Sequence, residues 1–157
     1  MNIALVASKG GHLGQMKLIF TEKVLEDNRA ILITEDFFKR GLVPRAFLGI
    51  FPAFYFAPDV LKLNPFRYLK TLIAMIRLFK GERVEAIVTN GAQLSIPAVI
   101  AGRLLSIPVV FMDTIIRVKT PNWSARFCYL FADRFLVQHR EMMHKYGKKS
   151  EYWGGVL

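Results

Sequence analysis

The N-terminal segment Ile3-Ala4-Leu5-Val6-Ala7-Ser8-Lys9-Gly10-Gly11-His12-Leu13 contains the first complete unit of the predicted fold. Its opening five residues form an unbroken apolar run, which is typical of a β-strand covered on both faces, as in a parallel sheet. The glycine pair lets the backbone turn sharply, and Leu13 to Leu25 then has the spacing of a helix. We therefore expect a strand, a tight loop and a helix that begins at that loop.

The rest of the chain repeats this alternation of short apolar runs and longer periodic segments. Further strands are predicted at Ala30–Thr34, Phe54–Ala57, Glu85–Thr89, Pro108–Met112 and Arg134–Val137. Further helices are predicted at Pro65–Phe79, Ser95–Leu105, Trp123–Phe131 and Arg140–Tyr146. Such an order predicts right-handed βαβ units and an α/β fold with a doubly wound, mainly parallel Rossmann-like sheet. The length of 157 residues suits a single domain, 1–157.

The composition indicates an anionic partner. Lys and Arg number 22 and Asp and Glu 12, which gives a formal charge of +10, and such a charge attracts nucleic acid, phospholipid or phosphorylated substrates. Charge is the only feature that favours RNA or nucleotide binding, so we expect no nucleic acid partner. The single cysteine, Cys128, excludes an internal disulfide and a cysteine-based metal site. We expect no signal peptide, and no run reaches the roughly 18 apolar residues of a spanning helix.

Ligands of doubly wound sheets bind beyond the carboxyl ends of the strands, which directs attention to the loops Ser8–Leu13, Asn90–Leu94 and Asp113–Asn122. The first loop is not a dinucleotide fingerprint, because Gly-x-Gly-x-x-Gly fits it at no register, and it is not a P-loop, because Lys9 precedes the glycines. Its helix N-terminus favours phosphate. His12 would lie beside a phosphate or a sugar hydroxyl, as a base or a donor. The alternative is a tight turn that carries a surface histidine.

Several segments together resemble a known family. They are Ser8-Lys9-Gly10-Gly11-His12-Leu13, Thr89-Asn90-Gly91-Ala92-Gln93-Leu94-Ser95-Ile96-Pro97, Asp113-Thr114-Ile115-Ile116-Arg117-Val118-Lys119-Thr120-Pro121, Ala132-Asp133-Arg134-Phe135-Leu136-Val137-Gln138 and Tyr152-Trp153-Gly154-Gly155. In order and spacing they resemble bacterial PssD-type exopolysaccharide proteins. They are also similar to the membrane-side subunit of the eukaryotic two-chain UDP-N-acetylglucosamine transferase of dolichol-linked oligosaccharide synthesis.

This resemblance implies the N-terminal half of a GT-B glycosyltransferase, the half that binds a lipid-linked sugar acceptor. A separate small chain, the C-terminal half, would bind the UDP-sugar donor, so this chain would hold no cofactor and no metal. His12 would be the catalytic residue. The residues implied in acceptor or phosphate binding are Ser8, Lys9, Gly10, Gly11, Leu13, Gln15, Asn90, Gly91, Ala92, Gln93, Asp113, Thr114, Arg117 and Thr120. The family commonly has Glu-Ser where this chain has Asp113-Thr114, and Thr where it has Asn90.

A peripheral position on the cytoplasmic face of a membrane is a further expectation. The helix around Pro65–Phe79 and its flanks carry the basic residues Lys62, Arg67, Lys70, Arg77 and Lys80 and no acidic residue. Leu69, Met75 and Phe79 are expected on the opposite side. This face could contact an anionic membrane or simply be solvated above the sheet. The apolar stretch Phe47–Phe51 is expected to be an exposed patch for lipid, or else core.

Two alternatives concern the role of the chain and one of its loops. The chain could act catalytically as an acceptor-binding subunit, or it could be a non-catalytic scaffold that recruits the donor-binding chain to the membrane. Asp113 could pair with Arg117 if it is buried, or Arg117 could bind the acceptor phosphate.

Overall fold

The structure is a computed structural model that describes residues 1–21, 25, 27–35, 51, 53–57 and 64–155. These residues form seven strands and five helices. The strands are β1 (Asn2–Val6), β2 (Arg29–Glu35), β3 (Ala53–Ala57), β4 (Ala86–Thr89), β5 (Val109–Met112), β6 (Arg134–Val137) and β7 (Ser150–Tyr152). The helices are α1 (Gly11–Ile19), α2 (Pro65–Gly81), α3 (Ser95–Leu105), α4 (Trp123–Phe131) and α5 (Arg140–Tyr146).

All seven strands are parallel and lie in the order β3-β2-β1-β4-β5-β6-β7. The chain therefore builds outward from β1 in one direction and from β4 in the other, and the order of strands reverses between these two central strands. The doubly wound, parallel α/β fold predicted from the sequence is confirmed. The carboxyl ends of β1 and β4 meet at the reversal point, where sheets of this kind bind ligands.

The two faces of the sheet are covered unequally. Helices α2, α3, α4 and α5 pack on one face, where Phe111 and Phe135 stack with ring centroids 4.8 Å apart. On the other face α1 contributes Leu13 and Met16 to a smaller core. There Val110 and Leu136, on β5 and β6, are only half-buried. Within the described residues, no helix of this chain covers that part of the sheet.

Helix α1 differs from the predicted span Leu13–Leu25. It begins two residues earlier, at Gly11, and ends at Ile19, because Phe20 leaves the helical conformation with φ −98° and ψ 79°. Strand β7 was not predicted at all. It is three residues long with a charged residue, Glu151, at its centre, so it lacks the apolar run by which the other strands are recognised.

Helix α2 begins as predicted, with Pro65 in its first turn and the Asn64 side chain accepting hydrogen bonds from the N–H groups of Phe66 and Arg67. Thr71, Met75 and Phe79 are buried. The prediction that Leu69 lies on the side opposite the basic residues is wrong, because Leu69 is exposed on the outward face. That face carries the exposed residues Arg67, Lys70, Arg77 and Lys80 together with exposed Phe66, Leu69 and Ile73.

The predicted lipid patch Phe47–Phe51 is wrong at its C-terminal end. Phe51 is 2% exposed and packs edge-on against Phe54, with ring centroids 6.1 Å apart, in the core below α1. Phe47 and Lys62 lie outside the described residues. Among the helices of the described ranges, none combines the length and apolar character that crossing a bilayer requires.

Candidate active site at the carboxyl edge of the sheet

The three predicted loops converge at the reversal point of the sheet. Asn90 Nδ2 donates a hydrogen bond of 2.5 Å to the backbone carbonyl of His12, which joins the first loop to the second. A Cβ placed on Gly11 would lie 4.0 Å from the side chain of Ile116, so the third loop also reaches the first. The sequence reasoning therefore identified three segments that share one edge.

His12 is the half-buried centre of this edge. Its Nδ1 is buried and has no hydrogen-bond partner among the residues that the structure describes. Burial lowers the pKa of His12 below its usual value, while the backbone of Asn90 and the charge of Glu35 act in the opposite direction. A lowered pKa keeps the imidazole neutral near pH 7, which is the form that accepts a proton.

Gly91 supports the ring of His12 directly. Its φ of +113° is rarely adopted by L side chains, and a Cβ at this position would lie only 2.9 Å from Cε1 and 3.2 Å from Nδ1 of the imidazole. Glycine is therefore needed both for the backbone turn and for the close approach of the ring.

Gly91→Ala should displace the imidazole and lower stability by about 2–4 kcal/mol, since backbone strain and a steric clash both act. Gly154→Ala is the matched control. Gly154 has a similar φ of +105° but open space where its Cβ would be, so this variant carries only the strain of about 1–2 kcal/mol. Chemical denaturation measures both changes. Equal destabilisation of the two variants would show that the His12 contact is unimportant.

Glu35, at the end of β2, is a site residue that the sequence reasoning missed. It is 1% exposed, and its Oε2 accepts a hydrogen bond of 2.6 Å from the backbone N–H of Lys9. In dinucleotide-binding folds an acidic residue near the end of the second strand binds the ribose hydroxyl. Here the carboxylate instead holds the glycine-rich loop. An acid directly after the apolar run Ala30–Thr34 was the signal that could have revealed it.

The second loop is held by a compact buried network. Ser95 Oγ receives the N–H of Gly91 at 2.9 Å and lies 2.8 Å from its carbonyl oxygen. Thr89 Oγ1 lies 2.7 Å from Ser95 Oγ and donates to the Val6 carbonyl at 2.9 Å. Neither hydroxyl was predicted as part of the site. Both fix the loop that touches His12, which makes them positioning residues.

Unpaired polar atoms concentrate at this edge. Within the described residues, the buried polar side-chain atoms without a hydrogen-bond partner at or next to the edge include His12 Nδ1, Gln15 Nε2, Thr34 Oγ1, Asn90 Oδ1 and Gln93 Oε1. Each such group costs about 1–3 kcal/mol when it is left unsatisfied. A concentration of them at a ligand-binding edge indicates a surface built to receive a polar molecule.

Asp113 follows β5 and is 2% exposed. Its Oδ1 accepts the N–H of Thr114 at 2.9 Å. Burial raises the pKa of Asp113 above its usual value, and the nearby Tyr146 hydroxyl, the Thr114 N–H, Arg117 and His139 partly oppose that rise. Within the described part of the chain, no ion pair shorter than 4 Å joins this carboxylate to Arg117, so of the two alternatives for Arg117 a direct ion pair with Asp113 is not observed.

The other predicted binding residues fall into three groups. Gly10 and Gly11 are exposed on the loop, and Ser8 is buried with its hydroxyl 3.5 Å from the Gly91 carbonyl. Leu13 is 5% exposed within the core, so its side chain cannot contact a ligand as predicted and only its backbone can. Residues that remain accessible are Lys9, Ala92, Gln93, Thr114, Arg117 and Thr120.

The fold and this edge define the class of protein: a Rossmann-like α/β domain of the kind found in GT-B glycosyltransferases. The crystal structure of Acinetobacter baumannii MurG matches with a TM-score of 0.78 and 18% identity, over 99% of this chain and 45% of that one. A UDP-N-acetylglucosamine 2-epimerase from Rickettsia bellii matches with a TM-score of 0.73 and 11% identity, over 99% and 45%. At these identities the likeness shows the fold alone.

The sequence places the chain in a family. Residues 59–156 match the family described as oligosaccharide biosynthesis protein Alg14 like, and the chain belongs to that family. A 61-residue segment, 38% of the chain, is 31% identical to the UDP-N-acetylglucosamine–N-acetylmuramyl-(pentapeptide) pyrophosphoryl-undecaprenol N-acetylglucosamine transferase of Synechocystis sp.. The match covers 17% of that enzyme, and the chain spans less than half of the two solved structures.

Proposed function

We propose that the chain is the acceptor-binding, membrane-associated subunit of a two-chain UDP-sugar glycosyltransferase that acts on a lipid-pyrophosphate-linked sugar in polysaccharide biosynthesis. The observation that carries the proposal is the concentration of unpaired polar atoms around His12. These atoms lie at the carboxyl edge of a domain in the Alg14-like family. The partial relative in Synechocystis, by its name, transfers N-acetylglucosamine to a pyrophosphoryl-undecaprenol-linked sugar, which is a substrate of the proposed kind.

In the proposed reaction His12 accepts the proton of the acceptor hydroxyl as that oxygen attacks the anomeric carbon of the donor sugar. The bond from this carbon to the diphosphate oxygen breaks, and UDP leaves with the bonding electrons. Gly10, Gly11 and the N–H groups at the start of α1 face the phosphates of the acceptor. Asn90 holds the His12 backbone, and Glu35 holds the loop. Preorganised donors and a neutral imidazole are the means by which such an edge lowers the barrier.

The donor is proposed to lie on a separate, small chain with the fold of the other GT-B half. Two features support this. The acidic residue that would bind a ribose, Glu35, is buried and already accepts the N–H of Lys9. The half-buried Val110 and Leu136 and the 69% exposed Trp153 lie along β5, β6 and β7 together with the exposed Arg134–Glu151 ion pair, and this mixed surface is one that a partner can cover. An obligate interface of this kind is large and fairly hydrophobic.

Membrane association is proposed to use the outward face of α2. Its exposed basic residues attract anionic head groups, and its exposed Phe66, Leu69 and Ile73 can enter the interface. This mixture fits a membrane surface better than a solvated face, because exposing three apolar side chains in one stripe to water is unfavourable and burying them in the membrane interface is favourable.

Lys70→Gln with Arg77→Gln should weaken binding to anionic vesicles by about 2 kcal/mol, roughly thirtyfold in partition coefficient at low salt. Both residues are exposed on α2. Vesicle sedimentation with phosphatidylglycerol-containing and pure phosphatidylcholine vesicles measures the effect. The exposed pair Lys145→Gln with Lys148→Gln removes the same charge elsewhere and should change binding far less. Equal losses in the two double variants would contradict a role for α2.

The test of the proposed function is binding of the acceptor to this chain. A short-chain lipid pyrophosphate saccharide should bind the purified chain, and a hundredfold excess of UDP-sugar should not displace it. Asn90→Ala should weaken that binding at least fivefold, since it removes a polar group at the edge and the support of His12. Isothermal titration measures both. Displacement of the saccharide by the UDP-sugar would instead make the glycine loop a nucleotide site and refute the proposal.

A further inference from the structure

Two hollows lie side by side where α2, α3 and α4 begin. The first, of about 420 Å³, is lined by Ala92, Gln93, Arg117, Asn122, Trp123 and Ser124. The second, of about 340 Å³, is lined by Pro65, Tyr68, Ile96, Ile100, Trp123 and Phe127. Trp123 forms a wall of both. In a parallel sheet, the helix that follows a strand begins at the carboxyl edge of the sheet. Both hollows therefore lie near the same carboxyl edge as His12.

The chemistry of the two hollows is different. The first contains the exposed guanidinium of Arg117 and the unpaired Oε1 of Gln93, which together suit an oxyanion with hydroxyl groups beside it. The second is lined mainly by carbon, and the Tyr68 hydroxyl in its wall is buried with no hydrogen-bond partner among the described residues.

We infer that the apolar hollow binds the isoprenoid chain of the lipid-linked acceptor while the adjoining polar hollow binds the phosphate next to that chain, with the second phosphate of the pyrophosphate facing the start of α1. The inference rests on the proposed function and specifies where the lipid lies. One amphiphilic molecule with an anionic head directly joined to a hydrocarbon chain matches both hollows and the wall they share. Trp123 is 53% exposed despite its size, and a hydrocarbon chain on one side and pyrophosphate on the other would cover it.

Exposed apolar side chains of the proposed membrane surface lie next to the apolar hollow. Leu69, which follows Tyr68 on α2, is 55% exposed, and the neighbouring Phe66 is 80% exposed. An isoprenoid chain that leaves the hollow past these side chains would stay in contact with apolar groups until it enters the bilayer. The acceptor would thus be held by its head and its first hydrocarbon units while the remainder stays in the membrane.

Tryptophan fluorescence tests the inference without any turnover. The chain has two tryptophans, so Trp153→Phe leaves Trp123 as the reporter. Geranyl pyrophosphate, used below its aggregation limit, should shift the Trp123 emission to the blue and bind at least tenfold more tightly than inorganic pyrophosphate. Equal affinities, or no shift, would overturn the inference.

Variants on α3 provide the structural control. Ile100 lines the apolar hollow, whereas Leu104, four residues later, is 64% exposed. Ile100→Asp should remove the advantage of geranyl pyrophosphate and leave inorganic pyrophosphate binding unchanged, and Leu104→Asp should alter neither. Ile100→Trp, which fills the hollow with apolar atoms, guards against a simple failure to fold. Unchanged geranyl pyrophosphate binding in both Ile100 variants would refute the site.

Activity separates this inference from the proposed function. In the assembled enzyme, Ile100→Trp should raise KM for a long-chain acceptor at least fivefold and leave KM for an acceptor with a short alkyl chain unchanged. If KM is unchanged for both acceptors while transfer still occurs, the lipid site is wrong and the function stands. If the assembled enzyme uses no lipid-linked acceptor at all, the proposed function is wrong, regardless of whether geranyl pyrophosphate binds.

Discussion

Purified alone, this chain should transfer no sugar and should bind UDP-sugars no more tightly than the millimolar range, whereas addition of the donor-binding chain should raise transfer at least a thousandfold. Donor and acceptor must be held within reacting distance by opposite walls of a cleft. In the two-chain proposal the seven-stranded sheet supplies one of these walls, and the chain covers 45% of the A. baumannii MurG chain. Its acidic residue at the ribose position, Glu35, is engaged by the loop.

Titration of the chain with UDP-N-acetylglucosamine and UDP-glucose, followed by a radiolabelled transfer assay with and without the small partner, measures both effects. Tight donor binding, or full transfer by this chain alone, would contradict the two-chain proposal.

His12→Ala should lower turnover of the assembled enzyme at least tenfold without changing its fold or its affinity for the partner. The loss follows from removing a neutral imidazole at the reacting edge, since a positioned base contributes about 10²–10⁴ in rate. His144→Ala is the matched control, because His144 is exposed on α5. Near-normal turnover of His12→Ala, together with normal partner binding, would favour the non-catalytic recruiting scaffold.

The pH dependence of the same assay adds a second readout for His12. Burial lowers its pKa below the usual value of 6.5, so the base is deprotonated near pH 7 and becomes protonated only on further acidification. Turnover should therefore be level around pH 7 and fall at a pH below 6.5. The acid limb should disappear in His12→Ala. An acid limb that persists unchanged in this variant would assign the titration to another group.

Most of the strands and helices could be predicted because each is marked by a short apolar run or a periodic apolar pattern in the local sequence. Six strands and the start of α2 at Pro65 were placed within a residue or two. Strand β7 could not be, since three residues with a central glutamate carry no periodic signal and pair only because β6 is already in place. Phe51 was misjudged for the related reason that an apolar loop residue looks the same whether it is buried or exposed.

At the candidate site, sequence reasoning identified the loops but not the contacts that support them. Patterns indicate which segments reach an edge, and His12 and Asn90 were found in this way. The support of His12 by Gly91 depends on a distance between residues 79 positions apart. The use of Glu35 as a loop anchor depends likewise on which donor is nearest in space. Such pairings are set by tertiary packing, which no local pattern encodes.

The central position of β1 has a consequence for how the protein is made. Val6 pairs with Thr89 on β4, and the hydroxyl of Thr89 donates back to the Val6 carbonyl across a separation of 83 residues. During synthesis β1 leaves the ribosome before β4. The edge of β1 that pairs with β4 therefore stays unpaired until β4 has emerged. Contacts of such long separation slow folding and leave apolar strand edges open to aggregation. Chaperone demand should therefore be greatest while the segment between β2 and β4 is being translated, and the histidine loop is completed only after that point.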